Sequence, residues 1–120
     1  MNKAQALYSF WSSFGITAYD VNTVPDDATL PYITYETATD SMDNVLSLTA
    51  SVWYRSKSWE LIERKTAEIA RAIYAMSPIQ LDDGYLWLNK GTPFAQRMTD
   101  PDDTIRRMII NVQAEFLTAY

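Results

Sequence analysis

Residues 45–76 read VLSLTASVWYRSKSWELIERKTAEIARAIYAM, and the architecture can be built outward from the two halves of this stretch. In the first half, Leu46, Leu48, Ala50, Val52 and Tyr54 fall on one side, and Ser47, Thr49, Ser51 and Trp53 on the other. A period of two predicts a strand over Val45–Tyr54 with one buried face. After Arg55 the period changes. Trp59, Ile62, Thr66, Ile69, Ala70, Ile73 and Met76 make one stripe at helical spacing, which predicts a helix over 58–76. Ser58 is its candidate N-cap, Glu60 and Arg64 stand four apart in the favourable order, and Pro78 ends it.

Upstream, Tyr32–Thr39 alternates as a second strand, and Asp40–Asn44 is a turn-rich break, so these two strands are expected to form an antiparallel hairpin. Residues 22–31 contain Pro25 and Pro31 and read as a loop, and Ile16–Val21 alternates weakly as a candidate short strand. Residues 2–14 read as a first helix on Ala4, Leu7, Trp11 and Phe14 with Phe10 beside them, with Asn2 as N-cap and Gly15 at the C-terminal stop. Downstream, Ile79–Leu81 and Tyr85–Asn89 flank Asp82-Asp83-Gly84, a hairpin with Asp-Gly in its turn. Gly91, Pro93 and Pro101 make Lys90–Asp103 a loop, and Thr104–Thr118 alternates as a final long strand. The expected fold is a single α+β domain over 1–120, in the order α-β-β-α-β-β-β. It is two-layered, with an antiparallel or mixed sheet and both helices on one face.

Composition excludes much chemistry. The chain of 120 residues has no His and no Cys, so a Ser-His-Asp triad, a Cys-His pair, a disulfide and a zinc site of the usual ligands are impossible. Three Asp pairs, Asp26-Asp27, Asp82-Asp83 and Asp102-Asp103, invite an acid–base or metal reading. Neighbouring carboxylates on a turn diverge, however, and there is no EF-hand spacing, P-loop or GxGxxG. The expectation is a chain that is not an enzyme and takes no cofactor or metal. Met1–Phe14 does not read as a signal peptide, and no apolar run approaches the ~18 residues of a membrane span. A soluble intracellular product is expected.

Charge and aromatics are unevenly placed. Fifteen acids against ten Lys and Arg give −5, and residues 20–44 hold six of the acids with no Lys or Arg. That pattern fits either turn chemistry and solubility or an acidic rim facing a partner. Trp11 and Trp59 lie on helix stripes and are expected in the core. Trp53 and Trp87 lie opposite the apolar faces of their strands, so they point either to an interface or into a second layer made by residues 90–103.

Three segments carry a family resemblance: NTVPDDATLPYITYE at 22–36, the strand-to-helix unit at 45–73, and LNKGTPFAQRMTDPDDTIRRMIINVQAEF at 88–116. Together they resemble the tail terminator proteins of long-tailed bacteriophages, small head–tail joining or minor tail proteins. The head–tail connector or completion proteins share a similar outline. The resemblance implies a virion structural protein that assembles as a ring, commonly of six copies, in the tail or neck after synthesis in the host cytoplasm. Its implied partners are further copies of itself, the major tail tube protein and the head–tail connector protein. DNA would pass through the ring without specific binding, and no membrane is involved. The candidate assembly residues are Trp53, Trp87, Asp82, Asp83, Gly84, Gly91, Pro93, Phe94, Asp102 and Asp103. Phe94 also reads as a plug over one end of the sheet. A competing expectation is a small cellular ligand-binding or adaptor domain that uses the Trp53/Trp87 face as a pocket.

Overall fold

A computed structural model describes residues 1–39 and 45–118, so the expected break at Asp40–Asn44 lies outside the described residues. In chain order the elements are α1 (Lys3–Trp11), β1 (Thr17–Asp20), β2 (Tyr32–Tyr35), β3 (Val45–Arg55), α2 (Glu60–Ala75), β4 (Ile79–Leu81), β5 (Gly84–Met98) and β6 (Ile105–Thr118). Among the described residues they form one sheet in the order β1-β2-β3-β6-β5-β4. β1 and β2 run parallel and every other pair is antiparallel, so the sheet is mixed. The expected α+β class holds, with β1 as an additional strand at one edge.

The core follows from the two periodicities. Leu7, Trp11, Ile62 and Ile69 from the helices meet Ile33, Val52, Leu86, Leu88, Ile110 and Val112 from the sheet, all fully buried. Each such aliphatic side chain contributes about 1.5–3 kcal/mol relative to exposure. Asn2 caps α1 through a reciprocal pair: its side chain accepts from the Gln5 N–H at 2.8 Å, and the Gln5 side chain accepts from the Asn2 N–H at 2.9 Å. A 3-10 turn at Ser12–Phe14 follows, closed by Gly15 at φ 79°, a left-handed conformation that glycine adopts without strain. The Lys65 ammonium then ties the helices together by donating to the Phe14 carbonyl at 2.6 Å.

The structure corrects several details. Ala6, not Ala4, is the buried alanine of α1. Ser58 does not occupy the N-cap position of α2; Trp59 does, while the Ser58 hydroxyl still accepts from the Glu60 N–H at 3.1 Å. The Trp59 ring is half-buried at the margin of the core instead of inside it, covered by the guanidinium groups of Arg97 (4.6 Å) and Arg106 (5.3 Å). In the β4–β5 hairpin the two loop residues are Asp82 and Asp83, because Gly84 already pairs with Leu81.

The largest correction concerns residues 90–103. They do not form one long loop, because β5 continues to Met98 and pairs with β6 as far as Arg107. Gly91 and Pro93 are absorbed in an irregular stretch between Lys90 and Ala95. A Cβ on Gly91 would lie 2.8 Å from the Asn111 Cβ, so only glycine lets the two strands close there. The Asn111 side-chain amide donates to the Pro93 carbonyl at 2.8 Å, which gives that irregular stretch a partner on β6.

Candidate functional site

With both helices on one face, the opposite face of the sheet carries the residues out of phase with the core. Its two ends differ. At one end β2, β3 and β6 align Tyr32, Trp53 and Arg107 in a single row. The Trp53 indole N–H donates to the Thr34 hydroxyl at 3.0 Å. The Arg107 guanidinium lies 4.5 Å from the Trp53 ring centre and its Nε donates to Ser51 at 3.1 Å. Tyr19 and Tyr32 extend the cluster edge to face at 5.6 Å. Thr34 and Ser51 are buried beneath it. Val21 and Val24 of the β1–β2 connection also reach this end, where they help line a concavity of about 310 Å³ with Thr34 and Trp53.

Hydrogen bonds fix the connection itself. Asp20 accepts from the Thr37 hydroxyl and from the Asn22 N–H, and these bonds hold its carboxyl below the usual carboxylate range. Tyr35, on the core side, has its phenol pushed upward, first by burial and then by the charge of Asp20.

The other end is open. β6 carries Glu115 between Val45 of β3 and Trp87 of β5, and Leu117 directly opposite Tyr85. Val45, Tyr85, Trp87 and Leu117 are 44%, 48%, 43% and 42% exposed, large apolar groups set around Glu115. Single exposed apolar residues are ordinary, but a cluster of four with two aromatics has the character of a contact surface.

The expected assembly residues therefore fall in three places. Asp82 and Asp83 form the β4–β5 turn next to the open patch, and Gly84 begins β5 beside them, at the same end as Trp87. Asp82 pairs with the Met1 amino group at 2.8 Å. Gly84 is held against β6, where a Cβ would run into the Leu117 carbonyl oxygen. Gly91, Pro93 and Phe94 lie in the irregular middle of β5, with Phe94 packed on the core margin and the Lys90 ammonium 5.4 Å from its ring centre. Asp102 and Asp103 lie in the loop between β5 and β6, near the Trp53 row.

In that loop Asp100 accepts from the Asp102 N–H, and Asp102 accepts from the Thr104 N–H and hydroxyl. The Thr104 hydroxyl is the main cause of the lowered Asp102 pKa, and Arg55 lies 3.7 Å from the same carboxylate. These acids lock a turn. Among the described residues, no group of three acids is placed to hold a metal ion.

Trp53 and Trp87 share a face but not a site. Their β6 partners, Arg107 and Glu115, are eight residues apart, about 26 Å at ~3.3 Å per strand residue. A single pocket using both indoles is thus excluded. The expected second layer from residues 90–103 is absent too, since most of that segment lies within the sheet. Sequence reasoning missed Val45 and Leu117 as members of the patch. The available signal was parity: both are apolar at positions out of phase with the core residues of their strands.

No protein-family model and no curated protein matches the chain. Among solved structures, the fold is similar to a chain from a structure described as the virion of a native gene transfer agent (GTA) particle. The TM-score is 0.61 at 16% identity, covering 88% of this chain and 83% of that one. At this identity the likeness is one of fold. Among the described residues, no helix is long and apolar enough to cross a membrane.

Proposed function

We propose that this chain is a structural component of a phage-type virion, a tail terminator that caps the tail tube as a ring and joins it to the head. The observation that carries the reading is the fold likeness, across most of both chains, to a protein found in a gene transfer agent virion. The segment resemblance at 22–36, 45–73 and 88–116 supports the finer assignment. The open patch of Val45, Tyr85, Trp87 and Leu117 supports a function of contact rather than chemistry. The lack of His and Cys agrees with that.

In this reading the patch and the adjoining Asp82–Gly84 turn bind neighbouring subunits or the tube. Acidic loops face the channel, where a closed ring multiplies the net charge of −5 on each chain and keeps DNA from adhering. Contact with the tail tube protein and the head connector would use the two faces of the ring.

Particles assembled without this chain provide the test. Electron microscopy should show tail tubes of uncontrolled length and free heads, with uniform joined tails restored by adding the chain back. Uniform tails that merely fail to join heads would assign the chain to head–tail completion instead. Normal joined particles would overturn both readings. The cellular-adaptor reading has one observation in its favour, the concavity at Trp53, yet the indole N–H there is already engaged by Thr34.

A further inference from the structure

The sheet has two open edges of different character. β1 ends it on one side, four residues long, and among the described residues it has no strand partner on its outer edge. On the other side β4 covers only Gly84–Leu86 of β5, so among the described residues β5 has no strand partner on that edge from Trp87 to Met98. The irregular stretch between Lys90 and Ala95, with Pro93 offering no N–H, divides this edge into two regular segments, Trp87–Lys90 and Ala95–Met98. Each is four residues long, the same length as β1. Unpaired strand edges present backbone donors and acceptors to any chain that can align with them.

The charges of the two edges are complementary. Residues 17–31, which comprise β1 and the connection to β2, contain Asp20, Asp26 and Asp27 and no Lys or Arg. Residues 87–98 contain Lys90 and Arg97 and no acid. Arg97 already pairs with Glu63 at 2.9 Å, which leaves Lys90 as the edge's principal attraction for an acidic neighbour.

Resting on the assembly reading, we infer that copies of this chain join head to tail, with β1 of one copy pairing against the uncovered edge of β5 in the next. A contact between two different edges is heterologous, and when its rotation closes it produces a ring. The interruption at Lys90–Ala95 limits each pairing to a short ladder, and the opposed charges favour the β1 edge over a second β5 edge, which brings a second Lys90 and no acid.

The absence of cysteine makes a clean test possible in the full chain. The double variants Thr17→Cys/Asn89→Cys and Thr17→Cys/Gln96→Cys are oxidised at the highest soluble concentration. At least one is expected to give a ladder of covalent multimers, while each single variant stays monomeric. Double variants that remain monomeric would overturn the proposal. So would a Thr17→Cys single variant that dimerises, since that signals β1–β1 pairing, or a link found only to a different protein in particles.

A charge arm accompanies it. Lys90→Glu should weaken association roughly tenfold or more at low salt, and adding Asp26→Lys/Asp27→Lys in the same chain should restore it. An unchanged association for Lys90→Glu, or failure of the restoring variant with the fold intact by circular dichroism, would also overturn it. Tail-length control is scored separately, so the terminator reading can survive the loss of this edge contact.

Discussion

Two ends of one sheet face, about 26 Å apart, show how little residue type alone says about role. Both ends carry a tryptophan out of phase with the core. At the β2–β3 end, Trp53 is sandwiched into a network: its N–H is bonded to Thr34, Arg107 stacks on its ring, and Tyr32 and Tyr19 close the side. At the β5–β6 end, Trp87 stands beside Tyr85 and Leu117 with 43% of its surface exposed. The first is a small second core built on the back of the sheet. The second has the composition of a contact surface that nothing among the described residues covers.

The sharpest way to break this comparison is to delete each ring. Trp53→Ala should cost about 2–3 kcal/mol, below the ~3–5 kcal/mol of a fully buried tryptophan such as Trp11, while Trp87→Ala should cost under about 1 kcal/mol. Chemical denaturation measures both. Equal losses would erase the distinction between the ends. Trp87→Ala should instead reduce assembly, seen as fewer joined tails.

Next in size is Gly84→Ala. Its new Cβ would strike the Leu117 carbonyl oxygen, so the hairpin must shift beneath the open patch at a cost of about 1–3 kcal/mol. A thermal melt unchanged from the parent would show that the strands there are not held as described. A smaller loss, about 1 kcal/mol, is expected from Arg107→Lys. An ammonium keeps the charge but loses the flat stacking on Trp53 and the geometry of the Ser51 bond. The same measurement on a Trp53→Ala background should show no further loss if the two act as one unit.

The smallest effect concerns pH. The Thr37 and Asn22 hydrogen bonds depress the folded-state pKa of Asp20. Its contribution is therefore complete above the unfolded value of about 4 and fades as pH falls through the lower folded value. Asp20→Asn should flatten the acid side of the stability profile at the β1–β2 end, and an identical profile would contradict that role.

The core face was legible because burial imposes a period. Val45–Tyr54 and Ile62–Ile73 announce their buried sides without any knowledge of their neighbours. The continuation of β5 was not legible, because Gly91 and Pro93 read locally as loop punctuation. Only their contacts with Asn111 on a distant strand turn them into part of a ladder. The separation of Trp53 from Trp87 was hidden for a related reason. Alternation assigns a residue to a face, but its place on that face comes from register with β6, and register is a tertiary fact. The patch itself was half visible: Tyr85 and Trp87 share parity within one strand, whereas Val45 and Leu117 join them only through pairing.

Hydroxyl-radical footprinting of the free chain and of assembled particles tests the central claim most directly. In the free chain Tyr85, Trp87 and Leu117 should oxidise readily. In particles their oxidation should fall several-fold, with the fully buried Trp11 and Leu86 silent in both. Equal oxidation of Tyr85 and Trp87 in the two states would show that the open end of the sheet faces solvent in the assembly, and would contradict its role as the contact surface.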